Sequence, residues 1–154
     1  MPGPRSRVSA PLLIVPLVCL LAAGASSAGA QDRPYTEGNV VVVSYIRIKP
    51  GMFDRYVKYL DTDYKKIMEA EKKAGVILDY GAYSSPQSNE GDWNMVLRVV
   101  YKNMAALDNL RDKTEPLAHG VTNLSPEQAA QASAERGAMR EQVGGRILRE
   151  LILK

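Results

Sequence analysis

Nine residues, Val40 to Ile48 (VVVVSYIRI), limit what this chain can become. β-Branched side chains crowd the helical backbone and suit the pleated one, so the segment is a strand. Its alternating faces are Val40, Val42, Ser44, Ile46 and Ile48 on one side, and Val41, Val43, Tyr45 and Arg47 on the other. Both are largely apolar, so both must be covered. Helices can cover one. The second needs another layer, and the economical one is the same face of a second copy related by a two-fold axis.

The rest of the chain supplies one layer of helices. Lys49-Pro50-Gly51 ends the strand, and residues 52–74 are expected to form a long helix. Phe53, Tyr56, Val57, Leu60, Tyr64, Ile67 and Met68 recur along one face of it, with Lys72 and Lys73 in the last turn before Gly75. Tyr56, Tyr59 and Tyr64 are read as core and rim. Strands are expected over 76–84 and 93–101, joined by a polar hairpin loop with Pro86 and Gly91. Asn103 is placed to cap a helix over 104–113, and 115–124 reads as irregular. Ser125-Pro126-Glu127-Gln128 is a capping box with proline at the first helical position, opening an alanine-rich helix to about 143. Gly144-Gly145 reads as its stop. The apolar stretch 146–153 reads as a last strand, with helical continuation as the alternative.

The resulting order, β-α-β-β-α-(α)-β, is the ferredoxin-like α+β order: an antiparallel sheet with helices on one face. The strand–Lys-Pro-Gly–helix opening (Val40–Gly51) and the Trp93–Tyr101 strand followed by Asn103-x-x-Ala106 resemble the dimeric α/β-barrel superfamily. That superfamily includes the antibiotic-biosynthesis-monooxygenase-like domains. The likeness covers about Val40 to Leu110, so the helix at 125–143 looks like an addition. It implies a small homodimer, with activities ranging from cofactor-free oxygenation of polycyclic substrates to haem degradation, and often none known. Haem-degrading members carry a histidine ligand near the second helix with an Asn and a Trp nearby. His119 and Trp93 do not match those positions, so that set is not transferred.

Of the 154 residues, 1–30 read as a secretory signal peptide. Arg5 and Arg7 form a positive start, residues 10–23 an apolar run too short to span a bilayer, and Ala28-Gly29-Ala30 a cleavage pattern before Gln31. An uncleaved anchor is the alternative; lipid attachment at Cys19 fits poorly, because Val18 precedes it. Residues 31–39 read as a polar leader arm and 40–154 as one domain. After cleavage the chain holds 18 basic and 17 acidic residues and no cysteine. That near-balance, with no run of like charges, gives no support for nucleic-acid binding. The expected localisation is export, to a periplasm or beyond the cell, with no membrane attachment after cleavage and no disulfide.

No metal-ligand spacing, nucleophile elbow, phosphate loop or dinucleotide fingerprint appears, so no cofactor is expected. His119 is the only histidine, in what reads as a loop, and is a candidate ligand or base. The other candidates are polar residues on strands: Tyr45 and Arg47, Asp79 and Tyr83, Asn94 and Arg98. Pairing Asp79 opposite Arg98 also sets Tyr83 opposite Asn94, and leaves Val76, Leu78, Tyr80, Met95, Leu97 and Val99 to meet the helices. Asp79–Arg98 is then either an ion pair that fixes register or part of a pocket. In the pocket, Arg98 and Arg47 would hold an anionic or phenolic group between Tyr45 and Tyr83. Three functions follow: non-catalytic binding of a small organic molecule, a cofactor-free monooxygenase-like enzyme, or a structural dimerisation module.

Overall fold

The computed structural model describes residues 33–86, 89 and 91–154. The expected signal peptide, its cleavage point and the first two residues of the leader arm lie outside them. Four antiparallel strands form one sheet: β1 (Tyr35–Ile48), β2 (Asp79–Ser84), β3 (Met95–Tyr101) and β4 (Arg140–Leu153). Their spatial order is β2-β3-β1-β4, the ferredoxin-like arrangement, with β1 central as its two apolar faces require.

The helices are α1 (Phe53–Tyr59), α2 (Lys65–Lys73), α3 (Leu110–Thr122) and α4 (Pro126–Met139). They cover one face of the sheet over β1 and β3 and leave β4 open, with Ile147 and Leu151 57% and 52% exposed. Val40, Ile46 and Ile48 of β1 and Met95 and Tyr101 of β3 are buried there, in two clusters with Tyr56, Leu60, Met68, Ile77 and Met139.

Several expectations change, each for a local reason. The leader arm is not an arm from Tyr35 onward. β4 runs on to Leu153 and pairs Tyr35, Thr36 and Glu37 with Leu153, Ile152 and Leu151. A register shift follows between Glu37 and Val40, where the Asn39 amide donates to the Glu150 carboxylate at 3.1 Å. The long helix forms, but Leu60–Tyr64 is a π-helical turn between α1 and α2. There the Thr62 hydroxyl donates to the Lys58 carbonyl at 2.9 Å, a side-chain bond that competes with the regular ladder.

Asn103 caps only a short 3-10 turn, Met104–Leu107, its side chain accepting from the Ala106 amide. The segment expected to be irregular is instead most of α3. Pro116 removes one backbone donor, yet Leu110 packs into the core and the helix persists to Asn123, whose left-handed φ of 53° ends it. The capping box at Ser125 is present as read. Its helix stops at Met139 rather than near Val143, because Met139 is buried and its carbonyl accepts from the Lys49 amide at 3.0 Å, where pairing of β4 with β1 begins. Gly144 and Gly145 are therefore not a helix stop but interior residues of β4.

The β2–β3 hairpin is shifted by two residues from the expected register. Asp79 lies opposite Val100, Gly81 opposite Arg98 and Tyr83 opposite Val96. A shift of two keeps each side chain on its face, so Tyr80, Leu97 and Val99 do face the helices. Residues 76–78 are the approach to β2 rather than strand. Ile77 turns into the core and is buried, while Leu78 is left 43% exposed.

Candidate functional site

The sheet face away from the helices carries five of the seven candidate residues. Cross-strand pairing sets its side chains in rows from β4 through β1 and β3 to β2. One row is Leu148, Val41, Val100 and Asp79. The next is Arg146, Val43, Arg98 and Gly81. The third is Gly144, Tyr45, Val96 and Tyr83. Two cations thus stand either side of Val43, bracketed by aliphatic neighbours.

Arg98 is the best-anchored group on this face. Its guanidinium is ion-paired with the Asp79 carboxylate and lies 6.0 Å from the centre of the Tyr83 ring. The pair is diagonal, because Gly81 and not Asp79 stands opposite Arg98. The Arg98 Nε is buried without a hydrogen-bond partner among the described residues. Lys72 reaches Asp79 from α2 at 3.3 Å. Hydrogen bonds from Arg98 and then Lys72 hold the Asp79 carboxyl below its ordinary range, and Asp79 in turn holds the Arg98 guanidinium more firmly protonated.

Tyr45 packs its ring on Trp93, centroids 5.3 Å apart. Gly144 stands across from it on β4, where a Cβ would meet the Tyr45 ring at 3.6 Å, an ordinary contact. Arg47 does not join Arg98. Its guanidinium bridges the Glu141 carboxylate at 2.8 Å and the Gly91 carbonyl at 2.9 Å, pinning the hairpin loop to β4. Asn94 does not share the face. It lies before β3, its amide donating to the Ile46 carbonyl and its side chain accepting from the Ile48 amide at 2.8 Å, so it closes the end of the β1–β3 ladder.

The second cation of the face is Arg146, absent from the sequence-based set. The signal was present in the apolar stretch 146–153, but its use needed the pairing of β4 with β1. Arg146 makes no ion pair within 4.0 Å among the described residues and donates only to the Gly145 carbonyl at 2.9 Å.

His119 is in the last turn of α3, not a loop, and on the helix side of the sheet. It lines a cavity of about 220 Å³ between the helices. A wider groove of about 490 Å³ separates the π-helical turn from edge strand β2, with Phe53, Val57, Leu60, Tyr64, Ser84 and Met95 among its walls. The Tyr64 hydroxyl is buried without a partner among the described residues, and burial pushes it well above the ordinary tyrosine range. Among the described residues no cluster of three or more His, Cys, Asp or Glu side chains is placed to hold a metal ion, and no helix is long and apolar enough to cross a membrane.

No protein-family model matches the chain, and no curated relative matches it in sequence. Solved structures are similar to it. HapK from Hahella chejuensis aligns with a TM-score of 0.49 and 12% identity over 72% of this chain and 91% of its own. MupZ from Pseudomonas fluorescens aligns with a TM-score of 0.45 and 14% identity over 71% and 69%. A dimeric ferredoxin-like protein from an uncultured marine organism aligns with a TM-score of 0.47 and 12% identity over 77% and 98%.

Proposed function

We propose that this is an exported, homodimeric protein that binds a small organic anion between two facing sheets, without catalysis. The observation that carries the reading is the row Arg146–Val43–Arg98 on the uncovered face. A second copy is the occupant that suits this face. Val41, Val43, Val96 and Leu148 supply an apolar centre around Val100. Facing copies would also bury two arginines from each chain, whereas Asp79 is one carboxylate already shared with Lys72. Burying charge without compensation is costly, so a carboxylate or phenolate between the sheets offsets what the protein leaves unpaired. Export rests on the leader-like first 30 residues.

The test is a thermal-shift series with benzoates and acidic phenols against their neutral amides and ethers. The anions should raise the melting temperature, and Arg98→Leu and Arg146→Leu should each remove the rise. Equal shifts from neutral and anionic probes, or shifts that survive both substitutions, refute the proposal.

A further inference from the structure

The 220 Å³ cavity lies on the helix side of the sheet and is independent of the face described above. Three helical faces converge on it. Tyr59, Asp63 and Ile67 follow one another at four-residue spacing through the π-helical turn. Glu115, His119 and Thr122 come from α3, and Arg136 comes from α4. Alanines at 118, 129 and 132 keep the helices from filling the gap. Thus α4, an addition to the minimal ferredoxin-like order, supplies one wall and its cation.

The charges of this cavity are not neutralised within it. Asp63 and Arg136 both line it, yet neither forms an ion pair within 4.0 Å among the described residues. Arg136 lies instead over the Tyr59 ring, 5.4 Å from its centre, which orients the guanidinium without discharging it. Glu115 is already engaged by Arg111 at 3.3 Å. Thr122 is spent on the Ala118 carbonyl at 2.8 Å. What remains open to a guest is one carboxylate, one guanidinium and the His119 imidazole.

We propose that this cavity binds a small zwitterion of the amino-acid class. The ammonium group would be held by Asp63, and the carboxylate by Arg136 with His119 beside it. A guest with only one charge would meet one wall and gain nothing from the other, whereas a zwitterion meets both. The space, about 220 Å³, is enough for a small amino acid. Burial also pushes the Tyr59 hydroxyl up, so it stays a neutral hydrogen-bond donor beside the guest.

The experiment is a thermal-shift screen of the purified protein with the common L-amino acids at about 10 mM. Each hit is then compared with its decarboxylated amine and its N-acetyl derivative in the Arg98→Leu, Arg146→Leu double variant, whose sheet face no longer holds an anion. At least one amino acid should raise the melting temperature by several degrees while both single-charge derivatives fail. Asp63→Asn and Arg136→Gln should each abolish the rise, and so should Ala132→Leu, which fills the cavity without changing its charge. Arg98→Leu, on the opposite face, should leave the rise intact. The proposal is overturned if no amino acid raises the melting temperature, if a single-charge derivative does as well as its parent, or if the rise survives all three cavity substitutions.

Discussion

Gly144 and Gly145 are neighbours with opposite tolerances, and that contrast follows from their place in β4. Neither has a positive φ, so neither is held in a conformation that only glycine accepts. A Cβ at Gly145 would stand 2.8 Å from the Val43 carbonyl oxygen, a backbone atom that cannot rotate aside. An ordinary contact needs about 0.6 Å more, which must come from separating β4 from the central strand. Overpacking of this kind costs about 1–3 kcal/mol. Replacing glycine also restricts the unfolded chain, which returns about 0.5–1 kcal/mol. Gly145→Ala should therefore destabilise by about 1–2 kcal/mol. At Gly144 the new Cβ meets the Tyr45 ring at an ordinary 3.6 Å, so Gly144→Ala should be neutral or stabilising by up to about 1 kcal/mol. Urea unfolding monitored by tryptophan fluorescence reads both, provided the slope is unchanged. Trp93 is the only tryptophan and packs on Tyr45, so the probe reports on this sheet face. If Gly144→Ala were the damaging change and Gly145→Ala harmless, as for a glycine ending a helix at positive φ, the placement of β4 would be wrong.

Two further outcomes come from buried polar groups. Tyr64→Phe removes a buried hydroxyl that has no partner among the described residues, so it should stabilise the fold by about 1 kcal/mol in the same unfolding assay. Glu71 is only 5% exposed, and burial raises its carboxyl above the ordinary 4.5. The folded state then binds its proton more tightly than the unfolded state. This group's contribution to stability is present below pH 4.5 and is lost as pH rises through the folded value. Glu71→Gln should remove that decline and raise the melting temperature at neutral pH relative to the parent.

How far the sequence carried the account depends on whether each feature is set locally. β1, the Ser125 capping box and the Asn103 cap were legible because side-chain type and spacing over a few residues decide them. The strand order follows from the element order and the need to cover β1. Register did not follow: alternation defines which face a residue takes but is blind to a shift of two, so Asp79 and Arg98 met diagonally rather than directly. The start of β1 was missed, since polar Tyr35–Glu37 becomes strand only because Leu151–Leu153, read correctly as the end of the last strand, pairs with it from the far end of the chain. Residues 115–124 read as irregular, but packing of α3 against α2 holds 115–122 in the helix. Arg47 and Asn94 had the right chemistry for a pocket, but hairpin and ladder contacts that no local pattern encodes take up both. Arg136 and Asp63 were not among the candidates, because only the packing of three helices brings them to one cavity.

The central claim is that the uncovered sheet face is closed by a second copy, and light scattering on Val41→Asp beside the parent tests it most directly. Val43 is a poor place for the charge, because Arg146 and Arg98 flank it and would neutralise a new carboxylate. Val41 stands between Leu148 and Val100, with no cation directly opposite on β3 or β4. An aspartate buried there between two sheets costs several kcal/mol, whereas on an open face it stays in water and costs little. The account predicts a parent mass of two chains and a Val41→Asp mass of one, with the circular-dichroism spectrum unchanged. A parent that remains a single chain at every concentration, or a Val41→Asp dimer as stable as the parent's, would contradict it.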